Sequence, residues 1–321
     1  MSWRPEIERL GGTYASAWGG AVDAADPERR VLPRSRALCA GLAVLAREAY
    51  RGMGGASEAI AEEVGLAAAL LSLVTKVDDQ VIDARDFHEN LPDEAALRAR
   101  TWRFLRPTLA AIRRGRAPDH APGRARLAAE LGRRVDALAA DPARKAALLG
   151  WVARGWQVQV EAVATLTRHA SAVTPARVDR ATRDISAVWL LLITLVGALP
   201  GDVRALTPAE VDAFFRAGRF IQRVDALVDL EKDLADGHRA SWPLARLFAL
   251  DPASYEAGLR APETLDARLR ARRIPDECRA PAAEREAWRA ELRGLGDVGG
   301  ILGWIHEHLW ARYEARLRGL G

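Results

Sequence analysis

Lysine is nearly missing from this chain: of 47 basic residues only Lys76, Lys145 and Lys232 are lysine. The arginine bias, with abundant alanine and glycine, follows genome composition more than any design for nucleic acid. The basic residues are dispersed among 43 acidic ones. No basic run or recognisable motif marks a nucleic-acid footprint. Cysteine is scarce too. Cys39 and Cys278 are too few for a disulfide framework or a cysteine zinc site, so a reducing, cytoplasmic setting is expected. Long apolar runs are lacking. The longest, residues 187–199, is too short to span a bilayer, and the opening MSWRPEIERLGG has no signal-peptide apolar region. β-branched alternation is scarce, which argues against a sheet. There is no Ser-His-Asp order, no glycine-rich phosphate loop and no HExxH zinc motif.

What remains is helical sequence, punctuated by proline and glycine. At 321 residues, 49% hydrophobic and 28% charged, the composition is that of a globular protein. Helices are expected over 34–51, 56–86 and 95–113, the last capped by Asp93 and kinked at Pro107. Further helices are expected over 126–139, 143–171 and 174–199. A short helix opened by Thr207-Pro208 leads towards another over 215–243, and a final amphipathic helix covers 298–317. The charged, proline-rich run from 251 to 281 reads as a mobile surface segment or lid. The expectation is one all-α domain over 1–321.

Two of these helices carry the chemistry. In FRAGRFIQRVDALVDLEKDLADGHRASWP (215–243), Gly218, Gln222, Asp225, Asp229 and Asp233 recur three or four residues apart and share one helix face. Phe220, Ile221, Val224, Leu227, Val228 and Leu230 lie between them. Three carboxylates in a row repel one another unless something positive meets them. Mg²⁺, which takes hard oxygen ligands and shares its shell with phosphates, is the natural candidate. The competing reading is a solvated acidic face partnered by Arg223 and Lys232. The other helix, VGLAAALLSLVTKVDDQVIDARDFHE (64–89), is apolar nearly all round. It nevertheless carries a polar stripe of Ser72, Thr75, Lys76, Asp79, Asp83 and Asp86, and carboxylates on so apolar a helix are expensive to bury unpaired. Two acidic faces, one per half of the chain, suggest facing walls of a metal-lined cavity, as helical bundles build them.

Asp79-Gln-Val-Ile-Asp83, with Lys76 three residues before it, resembles the first DxxxD motif of the squalene and phytoene synthases. Gly218, Gln222, Asp225, Asp229 and Asp233 match that family's spaced Gly, Gln, Asn, Asp and Asp. Gly237, Arg239 and Pro243 resemble its following Gly-Arg-x-x-x-Pro, with His238 as a one-residue insertion. The resemblance implies an all-α isoprenoid synthase helical bundle around a central apolar cavity. It implies a Mg²⁺-dependent prenyltransferase that ionises an allylic prenyl diphosphate, joins the cation to an acceptor and releases diphosphate. Asp79, Asp83, Asp229 and Asp233 would be catalytic, and with Asp225 they would hold the metal. The chain departs from the family in several places: Leu71-Ser-Leu-Val-Thr75 replaces an aromatic-rich run, Lys76 stands for Arg, Asp225 for Asn, and Trp189-Leu-Leu-Leu-Ile-Thr for a Tyr-rich helix. Class I terpene cyclases share the fold and metal logic and remain a competing reading, as does a non-catalytic prenyl-binding relative.

Basic groups should close over the diphosphate. Lys76, Arg223, Lys232 and Arg239 are near enough in sequence, and Arg183 stands upstream much as a diphosphate-sensing arginine does in bacterial terpene cyclases. An aromatic lining from Trp151, Trp156, Trp189 and Phe214 would shelter a carbocation, although large residues packing a core are the plainer reading. The partners expected are the prenyl diphosphate and an acceptor, with at most peripheral membrane contact, no nucleic acid, and a monomer or homodimer. Chain length, product and any part for Asp86 are not legible in the sequence.

Overall fold

The computed structural model describes residues 4–18, 28–89, 91, 93–118, 121, 123–291, 293 and 298–319. About 84% of it is helix, and no strand occurs among the described residues, as the scarcity of β-branched alternation requires. In chain order the helices are α1 (Arg4–Trp18), α2 (Glu28–Gly52), α3 (Glu58–Asp83), α4 (Arg85–His88), α5 (Glu94–Arg114), α6 (Gly123–Leu138), α7 (Pro142–Leu166) and α8 (Pro175–Gly197). They continue with α9 (Pro208–Val228), α10 (Leu230–Ala235), α11 (Trp242–Leu250), α12 (Pro252–Arg260), α13 (Leu265–Ala271), α14 (Ile274–Cys278), α15 (Ala282–Glu291) and α16 (Val298–Gly319).

Local chemistry sets the starts. Asp93 caps α5 by accepting from the Ala96 N–H at 2.8 Å, Asp141 caps α7 and Thr174 caps α8. Thr207 and Glu210 close a reciprocal capping box on α9, with Pro208 in its first turn. Pro107 lies inside α5 without ending it. α2 begins at Glu28, ahead of Pro33, where the sequence suggests a later start. The short helix at Thr207 runs on into the acidic segment as α9, but the helix expected over 215–243 is broken: α9 ends at Val228, α10 covers Leu230–Ala235 and stops before Gly237 at φ +86°, and α11 starts at Trp242.

α2, α3, α8 and α9 pack around the largest apolar cluster, in which Tyr50, Leu70, Trp156 and Phe214 are almost wholly buried. A second cluster gathers Leu227, Leu230, Trp242, Tyr255, Leu269, Ile274, Cys278 and Tyr313. This corrects the reading of 251–281 as a mobile segment or lid. Apart from Asp266, buried against Arg316, most of its charge faces out, and Tyr255, Leu265, Leu269 and Ile274 are at most 1% exposed beneath α9 and α11. α16 places Ile301, Trp310 and Tyr313 in core contacts, as its apolar spacing requires. No described helix is long and apolar enough to cross a membrane.

Candidate active site

α3 forms one acidic wall and α9 with α10 the other, and α8 packs against both. Glycine makes that packing possible. A Cβ on Gly218 would stand 2.5 Å from Ala187 Cα, so only glycine lets α9 cross α8 this closely. One turn on, Gln222 Oε1 accepts a 2.8 Å bond from Ser186 Oγ of α8. These two contacts fix the rotation of α9 and carry Asp225 and Asp229 round to the space facing α3. α9 gives way to α10 at Asp229, but the turn-to-turn bonds run on: Asp229 N–H to Asp225 O at 2.9 Å and Asp233 N–H to Asp229 O at 2.8 Å. The three carboxylates therefore stay in helical succession.

α3 ends at Asp83, and the single turn α4 brings His88 against the end of α10. There His88 Nε2 donates to the Asp236 carbonyl at 2.7 Å. It also packs on Gly237, whose φ of +86° caps α10 and whose missing side chain leaves room for the imidazole. α4 thus ties the far ends of the two walls together.

Charge passes between the walls. On α3, Lys76 Nζ donates to Asp79 Oδ2 at 2.7 Å, and Gln159 Nε2 of α7 donates to Asp79 Oδ1 at 2.8 Å. Burial works against ionisation of Asp79, yet the charges of Lys76 and Lys232 hold its carboxyl below the usual range. Asp83 has no countercharge so close, Lys232 standing 3.9 Å away. Burial, then the Asp79 charge, pushes it up to about 8, against His238 and both lysines. Asp225 is pushed up to about 7 by burial, then by Asp229, and it feels Asp79 across the gap. Burial and then Asp233 raise Asp229, while Lys232, Lys76 and Arg312 oppose the shift. Lys76 is held above its ordinary range chiefly by Asp79, with Asp225 and Asp83 contributing. Lys232 stands 3.9 Å from Asp83 Oδ2 and 2.9 Å from Asp236 Oδ2. All five candidate aspartates thus share one electrostatic neighbourhood with two lysines.

The other candidates lie elsewhere. Asp86 is exposed at the start of α4. Asp78, beside Asp79, turns the opposite way and is 1% exposed against Arg124 at 3.3 Å. Arg223 donates to Asp179 at 2.6 Å and lies 4.4 Å over the Trp242 ring. Arg183 is half exposed and paired with its neighbour Asp184. Arg183 and Arg223 line a separate recess beside the acidic cleft. Arg239 is exposed, its backbone pinned to Leu166 O and to the Tyr255 hydroxyl. Ser72 and Thr75 bond carbonyls of their own helix, so these two members of the polar stripe are not part of the site. Of the aromatic residues, Trp156 and Phe214 are packed in the core, and Trp156 meets Trp189 edge-on.

Three members of the site had no sequence signal pointing to them. Gln159 lies in an apolar stretch of α7. Arg312 comes from α16, far along the chain, and bears on Asp229 only through the fold. His238 reads as an insertion but is 2% exposed, with its Nδ1 3.8 Å from Asp233 and its ring stacked on His88. Burial opposes its protonation, but Asp233 and Asp83 raise its pKa all the same.

Among the described residues no group of three His, Cys, Asp or Glu side chains stands ready to hold a metal ion. The donor chemistry nevertheless suits a hard divalent cation: every acidic group of the cleft offers carboxylate oxygen. Asp83 and Asp225, pushed up to about 8 and about 7, mark where positive charge is short. Lys76 and Lys232 now supply the positive charge between the walls. Compared with known proteins, the chain matches no family model and no curated protein.

Proposed function

We propose that the chain is a Mg²⁺-dependent isoprenoid enzyme that ionises an allylic prenyl diphosphate and transfers the prenyl group to an acceptor, releasing diphosphate. One observation carries the reading. Two aspartate-bearing helices, 150 residues apart in sequence, share one field, with Lys232 of α10 3.9 Å from Asp83 of α3 and with two carboxylates held back from ionising by burial. Asp79 and Asp83 on one wall, and Asp225, Asp229 and Asp233 on the other, would hold the metal. When bound, Mg²⁺ neutralises the diphosphate and stabilises the charge that builds as the C–O bond breaks. The electron pair of that bond leaves with the diphosphate. Lys76 and Lys232 are placed to turn from the carboxylates to the departing phosphate oxygens. Gln159 keeps Asp79 oriented while Lys76 moves. An isoprenoid-synthase bundle with an apolar cavity behind the cleft belongs to this proposal. Trp189 would border it, shielding the cation from water, whereas Trp156 and Phe214, at most 1% exposed, stay in the packed core.

A second reading rests on a specific observation: Lys76 already occupies Asp79, and no three-ligand set is preformed among the described residues. In that reading the cleft binds a prenyl chain without turnover. Incubation with a chain-length series of prenyl diphosphates in Mg²⁺, with and without an acceptor, separates the two. Diphosphate release that needs an acceptor supports transfer. Hydrocarbon formed from a single prenyl diphosphate supports a class I cyclase instead. No release from any donor leaves only the non-catalytic role.

A further inference from the structure

Beside the acidic cleft, between α8, α9 and the start of α11, lies a recess of about 30 Å³. Its chemistry is opposite in sign. Arg183, Arg219 and Arg223 line it, together with Ser241 and Trp242. We propose that this recess is a second, metal-independent site that seats a single phosphoryl group.

Several unused donors converge there. The Ser241 hydroxyl is 2% exposed and has no hydrogen-bond partner. Ser241 is the N-cap of α11, a helix of nine residues, yet its side chain makes no capping bond. A buried hydroxyl left free at a helix start is uncommon, because that is where serine normally turns back onto the helix. The first turn of α11 also carries N–H groups that have no carbonyl within their own helix, and the positive end of its dipole. The Nε of Arg223 is buried and unpartnered as well, and that of Arg219 is buried with no hydrogen bond, facing Asp179 at 3.7 Å. Guanidinium, hydroxyl and helix-start donors together are the set that binds tetrahedral oxyanions.

Two carboxylates border the same space. Asp179 is taken up by Arg223 at 2.6 Å and faces the Arg219 Nε at 3.7 Å, and the Arg183 Nε pairs with Asp184 at 3.0 Å, which leaves the Arg223 Nε and the Ser241 hydroxyl for a ligand. Asp233 faces His238 on its other side. The room is on the scale of two water molecules, so a phosphoryl head fits at the mouth and a chain does not. A carboxylate ligand suits the recess less well, since Asp179 already fills that role against Arg223. Asp233 borders both the recess and the acidic cleft, so an occupant here would be felt by the metal-binding wall.

The site does not depend on the prenyl-transfer reading, and the test keeps the two apart by leaving out metal. Inorganic phosphate and free diphosphate are titrated by calorimetry into the whole chain in chelator, and a prenyl diphosphate is titrated in a parallel arm. Saturable 1:1 binding of phosphate or diphosphate is expected, weakened about tenfold or more by Arg219→Gln and by Ser241→Ala. Saturation by inorganic phosphate assigns the recess to free oxyanion. Saturation by the prenyl diphosphate alone, with the same sensitivity to both variants, assigns it to a substrate head group. Arg114→Ala, an exposed arginine on α5, is the control and should leave binding unchanged. Absence of saturable binding in every arm overturns the proposal. So does equal affinity in Ser241→Ala and Arg219→Gln, or an equal loss in Arg114→Ala. Ser241→Ala removes one unpartnered oxygen, so it should fold even if an arginine variant does not.

Discussion

The two acidic walls differ in who answers their charge. On α3 the first aspartate of the motif, Asp79, has a lysine three residues before it and a glutamine reaching in from α7, and it stays ionised. On α9 and α10 the succession Asp225, Asp229 and Asp233 has no partner so close: His238 stands 3.8 Å from Asp233, and further relief comes from Lys232 of α10, Lys76 of the opposite wall and Arg312 of α16. Burial makes the difference matter, because a carboxylate taken out of water needs a countercharge or a proton. Each wall thus keeps a carboxyl pushed up by burial, Asp83 on α3 and Asp225 on α9, while Asp79 is held down by its lysine.

The largest expected effect removes one acid from each wall. Asp79→Ala and Asp229→Ala should each lower diphosphate release by about 100-fold or more in Mg²⁺, measured as initial rates against the same prenyl donor. If both variants keep full activity, neither wall holds the metal. Without metal the same comparison should split. Asp79→Asn loses a charged bond to Lys76 and should destabilise the fold by about 1–3 kcal/mol in urea unfolding. Asp225→Asn relieves repulsion and should be neutral or stabilising. Equal losses at the two positions would erase the difference between the walls.

Next in size is the crossing that orients the second wall. Gly218→Ala forces a methyl into Ala187 of α8 and should cost about 1–3 kcal/mol, with a fall in activity beyond what the lost stability explains. Lys76→Met should cost less, about 1 kcal/mol, because its side chain and that of Asp79 keep 29% and 26% exposure.

The smallest effect is in pH dependence. Asp83 and Asp225 carry folded pKa values of about 8 and about 7, above those of the unfolded chain, so the native state holds more protons between those limits. Stability of the metal-free protein should therefore fall as pH rises from about 5 to 8, and saturating Mg²⁺ should flatten the slope. The depressed Asp79 contributes stability with the opposite sign, lost only in acid as pH drops through its unfolded and then its folded value. A metal-free melting temperature that climbs steadily over the neutral range would contradict these assignments.

Much of the fold was legible because its signals are local. Asp93, Thr174 and the Thr207–Glu210 box announce their helices through bonds to neighbours three residues away, and the apolar spacing of α16 names its buried face. The region after Leu250 was misread because charge and proline conceal an apolar set, Tyr255, Leu265, Leu269 and Ile274, too sparse for periodicity to reveal. In the site, the aspartates of α3 and α9 were visible as repeating acids on apolar helices. The partition of the arginines was not. Arg183 and Arg223 stand closer in sequence to the acidic motif than Arg312 does, yet only Arg312 bears on Asp229, while the other two line a separate recess. His238 shows the same limit: sequence register makes it an insertion, and only the packing of α4 onto Gly237 puts it beside Asp233 and Asp83.

The most direct test of the facing walls is a calorimetric titration of Mg²⁺ into the protein with diphosphate present, near pH 7, in buffers of different ionisation enthalpy. The account expects saturable binding that releases protons from Asp83 and Asp225, and loss of that binding in both Asp79→Ala and Asp229→Ala. Binding that releases no proton and survives removal of either wall would contradict it.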